Sequence, residues 1–425
     1  MADNQELGAP MLDRWLVFFA LVFAGNVQAA ERSISVATWN LGWHVDLETA
    51  KVWITECGKK FVKDPSTNRW NAATGDEGTV AWDIDGYSIN GWDHTRFPVC
   101  GVYYDGKTVR VTPSAYKERQ QRTADFIRTS LSADVIAFQE VSGIQAVKEI
   151  LPGGGADFDL CEVTPASDYK VQRLVIAWKK TLGSQVSCET EESLALRNNP
   201  ERFQPRPGLA VTLNVDGRLL RILAVHLKSS CVSPLGGGDL AGSREDCEVL
   251  QQQIDPLEAW VESNTADEAK VVLLGDFNRN LFHELRDQTP VRTDLSSPAD
   301  TRQAGALSRS LLEEVADGKP ATSDLSLVNE ECVTDIVGKM LCVYGETRSL
   351  TPAERSLLGS ASYLGCRNPV GLDHILVGPG FKVDDLIARH IGIGTEGATK
   401  AGRDDGSDQR LAISDHCPLT VDLTF

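Results

Sequence analysis

Several short apolar runs of this sequence end on polar residues that packing alone does not require. Asn40 follows "VATW", Glu140 follows "VIAFQ", His226 follows "ILAV", and Asp276 and Asn278 follow "VVLLG". Asp373 and His374 begin "DHILV", and Asp415 and His416 precede the last run, "CPLTVDLTF". Each has a plain explanation by itself: Asn40 or Asp415 caps a turn, Glu140 pairs with a lysine, and His226 is a satisfied core histidine. Together they form a set of carboxylates, amides and histidines, with no serine elbow, Walker loop or dinucleotide fingerprint nearby. Oxygen ligands without thiolates suit a hard divalent cation, and histidines beside carboxylates suit proton transfer or anion stabilisation. The combination points to metal-assisted hydrolysis of a phosphate ester.

The elements that must position these groups read as strands. "ISVATWN", "DVIAFQE", "RLVIAW", "LAVTLNV", "RLLRILAVH", "VVLLGDFN", "LDHILVG" and "CPLTVDLTF" are short and rich in valine, isoleucine and leucine. Asp216-Gly217 between two of them is a hairpin signal, so at least that pair is antiparallel. Helices are expected between strands. Leu250, Ile254, Leu257 and Val261 form one stripe, with Pro256 as a possible kink; "YKERQQRTADFIRTSLSADV" and "GALSRSLLEEVADG" are further candidates. In extended geometry, period-two alternation puts Asp276 and Asn278 on one side.

Two long segments, about 47–113 and 282–364, read as irregular insertions, and 395–410 reads as a mobile loop. The first is rich in tryptophan. It is either a lipid-facing apolar surface or a disulfide-stapled mini-core around Trp70, Trp82 and Trp92. Its Asp83–Asp85 triplet reads as a solvated turn rather than a calcium loop.

With 42% hydrophobic and 24% charged residues, the composition is that of a soluble globular protein. The net charge of −18 disfavours a broad electrostatic footprint for a polyanion, but not a local cationic groove or a metal. "RWLVFFALVFAG" before "NVQAA" resembles a secretory signal spanning 1–29, with Val27 and Ala29 at the cleavage positions. It is shorter than the roughly 20 residues that span a bilayer, so no stable membrane anchor is expected after cleavage. Asp3 and Glu6 are unusual in a signal start, which leaves Met1 and Met11 as alternative initiators. Ten cysteines and no Cys-x-x-Cys pair in an exported chain imply disulfides, with Cys231–Cys247 and Cys332–Cys342 as guesses. The expected location is periplasmic or extracellular.

The ordered motifs "TWNLGW", "DVIAFQEV", "RPGLAV", "AVHLKSS", "LLGDFN", "LDHILV" and "ISDHCPL" resemble the endonuclease/exonuclease/phosphatase superfamily, which includes secreted deoxyribonucleases, abasic-site endonucleases and sphingomyelinases. The resemblance covers residues 33–425. It implies a four-layer α/β sandwich: two packed mixed β-sheets flanked by helices, in a single catalytic domain over 30–425. It also implies a metal site at Glu140 with Asn40, and Asp415 nearby. Mg²⁺ is the expected ion, with Mn²⁺ or Ca²⁺ as alternatives. Asp276 would handle the attacking water, Asn278 and Arg206 would contact phosphate, His416 oriented by Asp373 would act as acid/base or phosphate ligand, and His226 would stabilise the phosphate. Two positions depart from secreted deoxyribonucleases: Gln172 stands where a glutamate orients a histidine, and Ser142 where an arginine enters the minor groove. Tyr169 keeps a tyrosine that could stack on sugar. The implied function is an exported phosphodiesterase with nucleic acid as substrate. The alternatives are a phospholipid phosphodiesterase or a small-molecule phosphomonoesterase of the same fold.

Overall fold

The computed structural model describes residues 1, 32–100, 110–164, 170–232, 244–287, 310–334, 340–341, 364–366, 371–382, 385–397 and 410–424. The signal-like segment, Tyr169, Cys342 and most of the 395–410 loop lie outside the described residues. Ser33–Phe425 forms one compact unit.

Alternation of side chains explains the layers. Along Ser33–His44, Ile34 and Val36 join one core while Ala37, Trp39 and Leu41 join another, because successive side chains leave opposite faces of a strand. The same split runs through Val135–Val141, where Val135 and Ala137 go one way and Ile136 and Phe138 the other. It also runs through Lys270–Asp276, where Val272 and Leu274 oppose Val271 and Leu273.

A seven-stranded sheet has the order Asn329–Glu330, Ile387–His390, Leu419–Thr424, Ser33–His44, Val135–Val141, Arg173–Lys179, Phe158–Glu162. A six-stranded sheet has the order Ser326–Leu327, Asp373–Val377, Lys270–Asp276, Arg218–His226, Gly208–Val215, Ser184–Glu191. Both are mixed. Ser33–His44 runs parallel to Val135–Val141 and antiparallel to Leu419–Thr424, while Arg218–His226 runs parallel to Lys270–Asp276 and antiparallel to Gly208–Val215. The Asp216-Gly217 turn has φ of +51° and +83°, as its hairpin type requires.

One core lies between the sheets, with Val36, Ile176, Ile222 and Leu274 among its residues. Phe126, Leu131 and Ile150 cover the outer face of the first sheet, and Leu250, Ile254, Leu257 and Val261 that of the second, giving helix, sheet, sheet and helix. Burying each of those four side chains stabilises the Arg244–Asn264 helix on its sheet by about 1.5–3 kcal/mol. The helix continues through Pro256.

The first insertion is more regular than its composition suggests. Asp46 caps a helix over Leu47–Cys57 by accepting from the Thr49 N–H at 2.9 Å, and Ala50, Trp53 and Cys57 form its buried stripe. A three-stranded sheet follows (Lys60–Lys63, Trp70–Ala72, Thr79–Val80), and a Cys57–Cys100 disulfide closes the segment. Trp53 and Trp82 meet edge to face at 5.4 Å in this mini-core, with Trp70 and Trp92 packed against it. Asp85 caps a turn, as expected of a solvated acid rather than a calcium ligand. Further disulfides join Cys161–Cys188, Cys231–Cys247 and Cys366–Cys417. Cys342 of the other guessed pair lies outside the described residues. Among the described residues no helix is long and apolar enough to cross a membrane.

Candidate active site

The strand-end residues converge because they occupy the inter-sheet face just beyond its last apolar layer. Pairing places His226 opposite Asp276, and Asp276 opposite Asp373, so three adjacent strands end in one polar row. Across from them Asn40 ends the Ile34, Val36, Thr38 face and is paired with Gln139 of the neighbouring strand. Glu140 does not follow simple alternation. Its φ of +56° and the register shift between Phe138 and Val141 mark a bulge that re-aims the carboxylate toward the other sheet. His226 Nε2 bridges the gap, 3.6 Å from Glu140 Oε1 and 3.6 Å from Asp276 Oδ2.

Asp276 is held from two sides. Asn40 Nδ2 donates to its Oδ2 at 2.9 Å, and the Asn278 N–H donates to its Oδ1 at 2.8 Å. Burial, and then the neighbouring Asp373 carboxylate, push its pKa up to about 7 despite those donors. His416 Nδ1 lies 2.7 Å from Asp373 Oδ2. Burial opposes a charge on His416, but Asp373, Asp276 and Asp415 outweigh it and raise its pKa well above the usual value. His226 is the reverse. Burial, with Arg206, His416 and Lys228 adding, holds its pKa well below the usual value, so one cluster contains an imidazolium and a neutral imidazole.

Two sets of groups compete for a cation. Asp276, Asp373 and His416 offer ligand atoms within 4.8 Å of one another. His416 is spoken for, however, because its Nδ1 is bound to Asp373 and an imidazolium has no lone pair left for a metal. Glu140 and Asp415 fit better. Burial pushes the Glu140 pKa up, and the Asp415 charge adds to that push against Arg206. A cradle is built there as well: at Gly42, φ +58°, a Cβ would come 2.8 Å from Asp415 Oδ1. Asn40 Oδ1 faces the same turn, accepting from the Gly42 N–H at 2.9 Å. Carboxylate and amide oxygens of this kind suit a hard divalent cation.

The chain resembles endonuclease/exonuclease/phosphatase proteins in structure. A family protein from Bacteroides thetaiotaomicron is 13% identical, with 93% of this chain and 99% of that one covered and a TM-score of 0.42. TDP2 from C. elegans is 11% identical, covering 92% and 75%, with a TM-score of 0.42. A mannosyl-6-phosphatase from Bacteroides thetaiotaomicron is 15% identical, covering 72% and 91%, with a TM-score of 0.37. No protein-family model and no curated protein matches the sequence.

Some candidates sit differently from the expectation. Extended geometry ends at Asp276: Asn278 has a φ of +51°, and its Nδ2 donates to the Leu227 carbonyl at 3.1 Å. Gln172 has a φ of +56°, and its Oε1 accepts from Arg206 Nη2 at 2.6 Å, which fixes that guanidinium beside the cluster. His226 Nδ1 and Asp373 Oδ1 are buried and have no partner among the described residues. Ser142 accepts from the Asp46 N–H at 2.9 Å and donates to its carboxylate at 3.0 Å, so it serves the insertion's first helix. Lys228 is paired with Asp246 at 2.5 Å.

Sequence reasoning passed over Ser414. Its Oγ donates to the Asn40 carbonyl at 2.6 Å and accepts from the His416 N–H at 2.9 Å, locking the two sides of the site together. Trp39 Nε1 adds a bond to the His416 carbonyl at 3.0 Å. The Ser-x-His spacing of "ISDH" was a signal for such a turn.

Proposed function

We propose that this chain is an exported, divalent-metal-dependent phosphodiesterase that hydrolyses nucleic acid. The observation that carries the reading is Asp276: a buried carboxylate with a pKa near 7, held by two donors and facing an imidazolium–carboxylate pair. A general base works best when its pKa lies near the operating pH.

Glu140, Asn40 and Asp415 would hold the cation, which when bound polarises a phosphoryl oxygen and offsets charge in the transition state. Mg²⁺ suits this oxygen set. Asp276 takes the proton from the attacking water, with Asn40 and the Asn278 N–H fixing its two oxygens. His416, kept protonated by Asp373, donates toward the phosphate or the leaving oxygen. His226, neutral, and Arg206, held by Gln172, contact the phosphoryl oxygens. Four disulfides at bonding distance and the signal-like start support maturation in an oxidising compartment. Burial of Trp53 and Trp82 in a stapled core favours this reading over a lipid-facing loop.

A hydrolysis screen over DNA, RNA, phospholipids and phosphomonoesters, with Mg²⁺ and with EDTA, tests the reading. Metal-dependent cleavage of DNA or RNA is expected. Turnover confined to the other two classes would remove the nuclease assignment, and turnover undiminished by EDTA would remove the metal.

A further inference from the structure

Among the described residues of the tryptophan-rich insertion, Tyr87 is an aromatic that its core does not use. Tyr87 is 60% exposed, and its ring is stacked on His94 with centroids 5.2 Å apart and planes inclined by 12°. The turn beneath it is rigid. Asp85 accepts from the Tyr87 N–H at 3.2 Å and from Ser88 Oγ through its carbonyl at 2.6 Å. Gly86 packs so closely that a Cβ there would come 2.8 Å from Val99, beside the Cys57–Cys100 disulfide. On the other side, Asp93 Oδ1 accepts from Thr95 Oγ1 at 2.6 Å.

This stack is tied to the strand-end cluster. The Lys170 N–H donates to the Thr95 carbonyl at 2.7 Å, and two residues on, Gln172 holds Arg206 at 2.6 Å. Burial and then the Glu140 carboxylate raise the pKa of the Tyr87 hydroxyl while Arg206 lowers it, so the ring lies within electrostatic range of the site. An exposed ring fixed on one face and open on the other offers a place for one more planar group.

We infer that Tyr87 and His94 form a stacking platform for an unpaired nucleobase whose phosphate lies at Arg206, His226 and His416. The inference rests on the phosphodiesterase reading above. A flat amphipathic platform fits a base better than an acyl chain, which needs a broad apolar patch. Its exposed neighbours Asp85 and Asp93 would also repel an anionic membrane. A base inside a duplex cannot reach such a platform, so the ligand is a single-stranded segment or a strand end.

The test is calorimetric titration of the full chain in Mg²⁺ with two ligands that cannot be cleaved: thymidine 5′-methylenephosphonate and the same sugar phosphonate without its base. Wild type should bind the base-bearing ligand about tenfold more tightly. Tyr87→Ala should reduce that ratio to within about twofold, and Tyr87→Phe should keep it. Because Tyr87 stands outside the core, an unchanged Tm serves as the folding control. Equal binding of the two ligands by wild type, absence of binding by either, or an undiminished ratio in Tyr87→Ala overturns the platform. Equal binding of the two ligands by wild type that still cleaves single-stranded DNA in a metal-dependent way removes the platform alone. A retained ratio without any phosphoester cleavage removes the phosphodiesterase reading alone.

Discussion

Two buried acid–histidine clusters share the strand Asp373–Val377, and adjacent residues of that strand serve them. Asp373 points to the strand-end site, where it holds His416 at 2.7 Å but also faces Asp276, with Glu140 and Asp415 close to the same histidines. His374 points the other way, to Glu330, with Nδ1 3.2 Å from Glu330 Oε1; His390 Nε2 closes on Glu330 Oε2 at 2.7 Å. One acid there meets two histidines. Burial opposes the Glu330 charge, but His390 and His374 outweigh it and hold the carboxyl at about 2. In the first cluster burial, and then the facing Asp373 carboxylate, drive Asp276 up to about 7. The same residue types thus produce a structural clamp where two histidines face one acid and a reactive centre where acids face one another. Crowded buried acids mark the functional site because a further cation or a proton relieves them.

That contrast can be broken from either side. His416→Ala and Asp276→Asn should each lower kcat by about 10²–10⁴-fold, as removal of a positioned acid or base does, measured under saturating substrate and Mg²⁺. Undiminished turnover would mean the roles are misassigned. Asp276→Asn should at the same time raise Tm in EDTA at pH 8. The folded pKa lies above the unfolded value of 3.8, so the folded state binds more protons between about 4 and 7 and stability falls as pH rises through that window. The amide escapes a cost of up to about 4 kcal/mol.

Glu330→Gln should do the opposite, lowering stability at neutral pH by about 3 kcal/mol, with kcat per folded molecule preserved. Its sign is reversed because the folded pKa, about 2, lies below the unfolded value of 4.5. The stabilisation is complete above about pH 4.5 and disappears as pH falls toward 2, so denaturant melts across that range should steepen in wild type relative to Glu330→Gln. Identical slopes would show that the clamp is not ionic. The smallest effect expected is that of the cation: at 100 times its Kd it should stabilise wild type by about 2.7 kcal/mol and Glu140→Gln by much less. Equal shifts would move the metal away from Glu140.

The strands, the hairpin and the polar strand ends were legible because periodicity and turn residues are local properties. "VVLLGDFN" announces both a buried strand and an acid without a packing role. Less legible was the regular structure of the tryptophan-rich insertion, since Trp53 and Trp82 find partners only when Cys57 and Cys100 close the segment. The bond from Arg206 to Gln172 at 2.6 Å was not legible, because Gln172 precedes the Arg173–Lys179 strand with a positive φ that no local pattern announces.

What the sequence determined is the inventory: which residues end strands, that oxygen and imidazole donors predominate, and that strands interleave with helices. Tertiary structure decided which acid titrates near neutrality. That depends on burial and on charges and donors brought together from positions as distant as Asn40, Asp276, Asp373 and His416. No local pattern encodes such a field, because an electrostatic environment is a sum over neighbours that only the fold assembles.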